Sequence, residues 1–401
     1  MTKLISRPLA DFTDAEVDLN DVAGSTGVLF VREGVGLAGV GTVARIPLDG
    51  VDTFLHECAL DDRIDAPGSN GVAIGWHSFD GTQSQAVVPQ ICVVKPSGGS
   101  AFVTYVEGNE QQITATLATQ PPATSATSEF AIRPGVAIDH YLAAVAAARD
   151  AVQQGEIAKA VIARDIFVQS STPINVHLLL RRLRSSFGSS YRYSIDGLVG
   201  ASPELLVSRM GESVSSHPLA GTTPRTGDPT VDTRLAAELR ASSKNQLEHR
   251  VVIDMVHDTL LPWCSYLDWQ PEPDIVAVAN VQHLGTRIEG HLSSPAAHVL
   301  DLMRALSPTP ALGGHPRDAA LQLIATHEGI DRGRYGGAVG WCDRTGNGTW
   351  AVTIRCAELS DDRRTARLFA GGGIVAESEP LAELAETQAK FQAMLAAIVR
   401  P

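Results

Sequence analysis

Thr349-Trp350-Ala351-Val352-Thr353-Ile354-Arg355-Cys356-Ala357-Glu358-Leu359, then Ser360-Asp361-Asp362-Arg363-Arg364-Thr365, then residues 367–375, is the run that decides the fold class. Two β-type arms flank a polar, charged connection, a pattern that predicts an antiparallel hairpin. A helix follows it, with Ser378 as N-cap and Pro380 in the first turn. Upstream, β-type runs fall at residues 159–168, and at 191–199 and 204–210, which read as a pair. Helical spacing covers 138–154, through Tyr141, Leu142, Val145 and Val152, and continues strongly over 231–261. Strands cluster here instead of alternating with helices, so an α+β fold with antiparallel sheets is expected.

Further out, the first 117 residues carry short β-type runs at 28–32, 71–76, 86–94 and 101–106, punctuated by Gly and Asp. A stretch rich in Pro, Thr, Ser and Ala over 118–128 reads as a surface loop. The expected organisation is one domain over residues 1–401, in which 1–130 form a scaffold lobe and 131–401 the catalytic part.

Acidic groups (45) outnumber basic ones (32), for a net charge of −13, and no Lys/Arg block stands out. That balance argues against a nucleic-acid or anionic-membrane surface. An anionic ligand would need locally placed positive charge. Cys58, Cys92, Cys264, Cys342 and Cys356 are odd in number and scattered, as expected of reduced core thiols in a cytoplasmic protein. Neither a signal peptide nor a membrane-spanning run is evident.

Four segments hold the candidate chemistry. On the last helix, Glu383, Glu386 and Lys390 stand at i, i+3 and i+7 and share one face. The plainer reading is a solvated stripe with a weak Glu386–Lys390 ion pair. Asn245 and Glu248 repeat the three-residue spacing on the 231–261 helix. Two helices that each offer one carboxylate suit Mg²⁺, which takes one or two carboxylates and fills its octahedron with water and substrate. Lys159, opening a strand among Ile157, Val161 and Ile162, is either an edge lysine or a desolvated base. Gly371-Gly372-Gly373-Ile374-Val375-Ala376 matches G-x-G-x-x-A, but no second strand or ribose-binding acid follows. Gly200-Ala201-Ser202-Pro203-Glu204 lacks the closing Gly of a nucleophile elbow, and His327-Glu328 lacks the second His of a zinc motif.

From about residue 130 to 398 the chain resembles the chorismate-utilising enzymes, and most of all the isochorismate synthases. The resemblance rests on Gly200-Ala201-Ser202-Pro203-Glu204-Leu205-Leu206, Pro218-Leu219-Ala220-Gly221-Thr222, Pro308-Thr309-Pro310-Ala311-Leu312, Tyr335-Gly336-Gly337-Ala338-Val339-Gly340-Trp341, Thr353-Ile354-Arg355-Cys356-Ala357 and Phe369-Ala370-Gly371-Gly372-Gly373. It implies a four-layer α/β/β/α sandwich with two large antiparallel sheets. It implies Mg²⁺-dependent, reversible conversion of chorismate to isochorismate, with water entering at C2 as the C4 hydroxyl leaves. Lys159 matches the base that activates water, and Glu204 the acid that protonates the departing hydroxyl. Glu248 and Glu386 match the metal ligands, with Asn245 and Glu383 one step behind them. Tyr335 and Arg355 match groups that hold the pyruvyl carboxylate; Gly221, Thr222, His283, Ala311, Leu312, Gly371 and Lys390 fall at substrate-binding positions.

Related branches differ at marked points. Anthranilate synthases usually carry Gln where Lys159 stands, and aminodeoxychorismate synthases a lysine where Ala220 stands. Salicylate synthases keep the base and acid and also eliminate pyruvate, so they are the alternative; a catalytically inactive relative is a remote one. Tyr335, Gly313 and Asn245 stand where Phe, Ser and an acid are commoner in isochorismate synthases. The resemblance implies a monomer, and the product could serve menaquinone or siderophore synthesis.

Overall fold

A computed structural model describes residues 2–118, 128–278 and 280–400. Most of the expected 118–128 loop lies outside the described residues. The fold is α+β, and among the described residues the strands fall into sheets of thirteen, nine and three. The thirteen-stranded sheet runs from Phe130–Pro134 through Lys159–Ser170, Thr365–Ile374, Cys356–Leu359, Leu198–Ser202 and Tyr191–Ile195. It continues into Val28–Arg32 and Val35–Val40, so strands from residues 3–106 extend the same sheet as those of the later chain. Nearly all pairing is antiparallel; Lys3–Pro8 against Ala59–Asp62 is parallel.

One face of this sheet meets the nine-stranded sheet across an apolar core that contains Phe30, Leu37, Ile74, Tyr193, Val207, Val339 and Trp350. Helices cover its other face, where Leu179, Leu183, Phe391 and Met394 pack on Leu29, Val31, Ala357 and Leu368. The Val299–Leu306 helix packs on the nine-stranded sheet. These are the four expected layers. The three-stranded sheet, Leu219–Pro224, Val281–Gly285 and Asp274–Val278, is an addition to the expected pair of large sheets.

Several expected boundaries move, each for a local reason. The arm 349–359 is two strands: Gly348–Val352 lies in the nine-stranded sheet and Cys356–Leu359 in the thirteen-stranded one. The chain crosses between sheets at Thr353, Ile354 and Arg355, where Arg355 takes φ of 52°. Tyr193 Oη donates to Ile354 O at 2.9 Å, and Ala201 N–H to Arg355 O at 3.1 Å, so neighbouring strands hold the crossing. Residues 191–199 form a hairpin turning at Asp196-Gly197, while Leu205–Met210 joins the other sheet. Residues 86–94 also split between sheets, as Ser84–Val88 and Ile91–Lys95. The long helix is two, Pro229–Ala241 and Ser243–Leu260, and Ser242 caps the second by accepting from Asn245 N–H. The last helix, Pro380–Val399, has Glu379 and not Ser378 at its N-cap. Ser378 has another task, described below.

Candidate functional site

Every residue picked from the sequence for the site lines one cavity of about 260 Å³: Lys159, Glu204, Gly221, Thr222, Asn245, Glu248, His283, Ala311, Leu312, Tyr335, Arg355, Gly371, Glu383, Glu386 and Lys390. The size suits a small molecule and not a polymer. All lining residues lie at position 159 or beyond.

Lys159 opens the Lys159–Ser170 strand and is 5% exposed, so it is not an edge lysine in solvent. Its Nζ donates to Glu248 Oε1 at 2.6 Å. Gly373 allows this meeting. A Cβ there would sit 2.6 Å from Lys159 Cε and 3.0 Å from Glu248 Oε1. The glycine run that resembled a dinucleotide-binding turn is therefore strand interior, kept bare so that side chains can cross it.

On the last helix, Glu386 pairs with Lys390 at 2.6 Å, and Lys390 also donates to Gly371 O at 2.7 Å. Burial would raise the Glu386 carboxyl, but the neighbouring Lys390, followed by smaller contributions including Arg355, together outweigh it and the net shift is downward. Glu383 is raised, chiefly by burial and then by the negative charge of Glu386. Ser378 Oγ donates to Glu383 Oε1 at 2.8 Å and accepts from Val375 N–H, tying the carboxylate to the end of the Thr365–Ile374 strand. The solvated-stripe reading fails here, because Glu383 is buried and Lys390 nearly so. Arg164 locks this helix to the lysine-bearing strand, donating to Thr387 Oγ1 at 2.8 Å and Gln388 Oε1 at 3.0 Å.

Glu204 follows Pro203 at the passage from Leu198–Ser202 to Leu205–Met210 and is 3% exposed. Burial pushes its carboxyl up to about 8; a hydrogen bond from the Leu219 backbone and the charges of Lys159 and Arg355 pull the other way and lose. Near neutrality it carries a proton.

The opposite wall is built on the three-stranded sheet and the strand crossing. His283 is pushed down to about 3 by burial, then by Arg355 and Lys390, so the ring is neutral. Its surroundings assign the tautomer: Nδ1–H donates to Gly221 O at 3.0 Å, and Nε2 accepts from Arg355 Nη2 at 3.2 Å. Thr222 Oγ1 lies 3.2 Å from the same Nδ1. Gly221 has φ of 70° and passes close to Asn245, where a Cβ would be 3.2 Å from that side chain. Arg355 makes no ion pair among the described residues, which leaves its fork free for an anionic group. Tyr335 stacks on Phe369 with ring centroids 5.1 Å apart.

The structure adds residues that sequence reasoning missed. Phe369 alternates with Gly371 and Gly373, so strand periodicity could have placed it on the cavity face. Lys244 also lines the cavity and stands one helical turn before Glu248, an i, i+4 signal that was available.

Whether the donors suit a hard cation can be asked of the oxygens alone. Glu248, Glu383, Glu386 and Asn245, which carry carboxylate and amide oxygens, line the cavity, and the mutual repulsion of Glu383 and Glu386 favours a positive charge near them. Among the described residues no group of three His, Cys, Asp or Glu gathers tightly enough to hold a metal by itself. Mg²⁺ needs no such group, since water and ligand oxygens complete its shell. The donor set fits.

The family profile described as "Chorismate binding enzyme" matches residues 75–399. A Mycobacterium tuberculosis protein, provisionally named isochorismate synthase MenF, is 46% identical over 271 residues, covering 64% of this chain and 73% of that protein. Isochorismate synthase DhbC of Bacillus subtilis is 45% identical over 258 residues, covering 62% and 64%. The solved structure of MenF, the menaquinone-specific isochorismate synthase of Escherichia coli, superposes with a TM-score of 0.85 at 25% identity, over 100% of this chain and 95% of that one. The profile match takes in every cavity-lining residue, and this chain belongs to the chorismate-binding enzyme family.

Proposed function

We propose that this chain is an isochorismate synthase, an isomerase that exchanges the C4 hydroxyl of chorismate for a hydroxyl at C2. The observation that carries the reading is the pairing, in one cavity, of a buried lysine with a glutamic acid that holds its proton up to about pH 8. The raised carboxyl of Glu204 suits it to the acid's role, and the amine in the same cavity takes the base's. Lys159 takes the proton of the attacking water, and Glu204 gives its proton to the departing hydroxyl.

Arg355, with its guanidinium unpaired and oriented by neutral His283, holds a carboxylate of the substrate, and Tyr335 borders the same place. Ala311 and Leu312 pack beside the ring, while Gly221, Thr222, Gly371 and Lys390 shape the remaining wall. Glu248 and Glu386 would hold Mg²⁺, steadied by Asn245 and Glu383; when bound, the ion supplies positive charge to the ring carboxylate. Glu248 is then the residue that changes partner. With its carboxylate engaged in holding the ion, the Lys159 amine that now donates to it would be available to the water.

Residues 1–130 serve as scaffold, consistent with a cavity lined from position 159 onward. No described helix is long and apolar enough to cross a membrane.

The test is incubation with chorismate and Mg²⁺ in ¹⁸O-labelled water, followed by mass spectrometry. Isochorismate carrying one labelled oxygen is expected, with conversion abolished by chelator. Salicylate with pyruvate would reassign the product, and unlabelled isochorismate would remove water as the attacker.

A further inference from the structure

Behind the cavity wall lies an ion pair that takes no part in the chemistry just described. Glu328 and Arg332, 2% and 3% exposed, contact each other through two guanidinium nitrogens. Their other bonds go to backbone. Glu328 Oε2 accepts from Ala163 N–H at 2.7 Å, and Arg332 Nη2 donates to Val161 O at 2.7 Å. Arg332 Nη1 donates to Leu312 O at 2.8 Å, and Arg332 O accepts from Tyr335 N–H at 2.9 Å. The guanidinium also lies over the Phe79 ring, 4.2 Å from its centroid.

The place of these bonds gives them meaning. One edge of the Lys159–Ser170 strand is fully laddered to Thr365–Ile374. The other edge pairs with Gly314–His315 at residues 159–160 and with Phe130–Pro134 from residue 166, leaving a gap between. Val161 O and Ala163 N–H fall in that gap, and the ion pair supplies the partners that a strand would otherwise provide. The same guanidinium reaches the turn that carries Ala311 and Leu312, and its backbone reaches Tyr335.

We propose that Arg332 and Glu328 are positioning residues for the isomerisation, setting the strand of Lys159 against the Ala311–Leu312 turn and Tyr335. The inference rests on the isochorismate synthase reading. A planar fork spans carbonyls of two segments while facing a carboxylate; an ammonium is a point charge and cannot. A displacement of about 1 Å at reacting groups costs about a hundredfold in rate.

The test compares Arg332→Lys with Arg367→Lys, which alters the Asp165–Arg367 ion pair of the same sheet, outside the cavity lining. Steady-state rates with chorismate and thermal unfolding are measured for both and for the unaltered chain. Arg332→Lys is expected to fold and to lose about a hundredfold in kcat while KM changes by about threefold or less. Arg367→Lys should keep its kcat at a comparable fall in Tm. The proposal is overturned if Arg332→Lys restores near-normal kcat, or if both variants lose rate in step with stability. If Arg332→Lys fails to fold, Glu328→Gln decides, with about a tenfold loss of kcat expected in a folded protein; failure of both to fold assigns the pair to folding alone and also overturns it. An unaltered chain that leaves chorismate intact would defeat the functional reading itself, a result distinct from an active chain with an indifferent Arg332→Lys.

Discussion

The two ends of the thirteen-stranded sheet share one hydrogen-bonded ladder and differ in what they bury. Towards the N-terminal strands the interior is mainly apolar, with Leu29, Leu37 and Val93 fully enclosed and Arg192, which donates to Asn20 Oδ1, as a buried ion. Towards the Lys159–Ser170 strand the same sheet encloses Lys159, Arg164, Glu328 and Arg332, and Glu204 sits just beyond the end of Leu198–Ser202. Ionisable groups are rarely buried, because removing them from water costs several kcal/mol each unless partners compensate. The scaffold end carries one such ion, and the cavity end gathers several. The contrast locates the part of the fold shaped by something other than stability.

The comparison breaks first at Lys159. Lys159→Ala should lower chorismate conversion by about 10²–10⁴-fold, with the protein still folding cooperatively in a denaturant titration. Near-normal turnover would remove Lys159 from the role of base.

Glu204 sharpens the same point through pH. Its carboxyl must be protonated to act as an acid, so kcat/KM should fall by about tenfold per pH unit above pH 8. The sign for stability follows from the same raised value. The folded protein holds this proton more tightly than the unfolded chain, whose ordinary value is 4.5, so the contribution is complete below 4.5 and is lost as pH rises through about 8. A kcat/KM profile flat across pH 7–10 would contradict the first, and unfolding free energies that do not fall between pH 4.5 and 8 when compared with Glu204→Gln would contradict the second.

At the far end the expectation reverses. Leu37→Ala should cost about 2–5 kcal/mol of stability through the cavity it leaves, yet kcat and KM of the folded enzyme should not change. Unfolding curves and initial rates on one sample measure both, and a selective loss of kcat would show that the scaffold end is coupled to the site.

How much of this was legible depends on the range of the interaction concerned. Glu383, Glu386 and Lys390 were readable as one face because helical spacing is local, and the 2.6 Å Glu386–Lys390 contact is what that spacing allows. The broken arm at Thr353, Ile354 and Arg355 was not readable. Both halves have strand composition, and only the presence of two sheets makes the chain change from one to the other. The same holds for residues 191–210 and 84–95. Ser378 looked like a helix cap because caps and carboxylate anchors use the same hydroxyl. The Glu328–Arg332 pair gave no sign of its importance, since an i, i+4 ion pair in sequence is ordinarily a solvated one.

The sequence by itself determined the periodicities, the punctuating glycines, the family, and the stock of acids, lysines and arginines available for chemistry. Only the tertiary structure decided that Lys159 faces Glu248 across Gly373, and that Glu204 is enclosed deeply enough to keep its proton. The physical reason is that identity and spacing are properties of neighbours along the chain, whereas desolvation and charge pairing depend on distances between segments far apart in it.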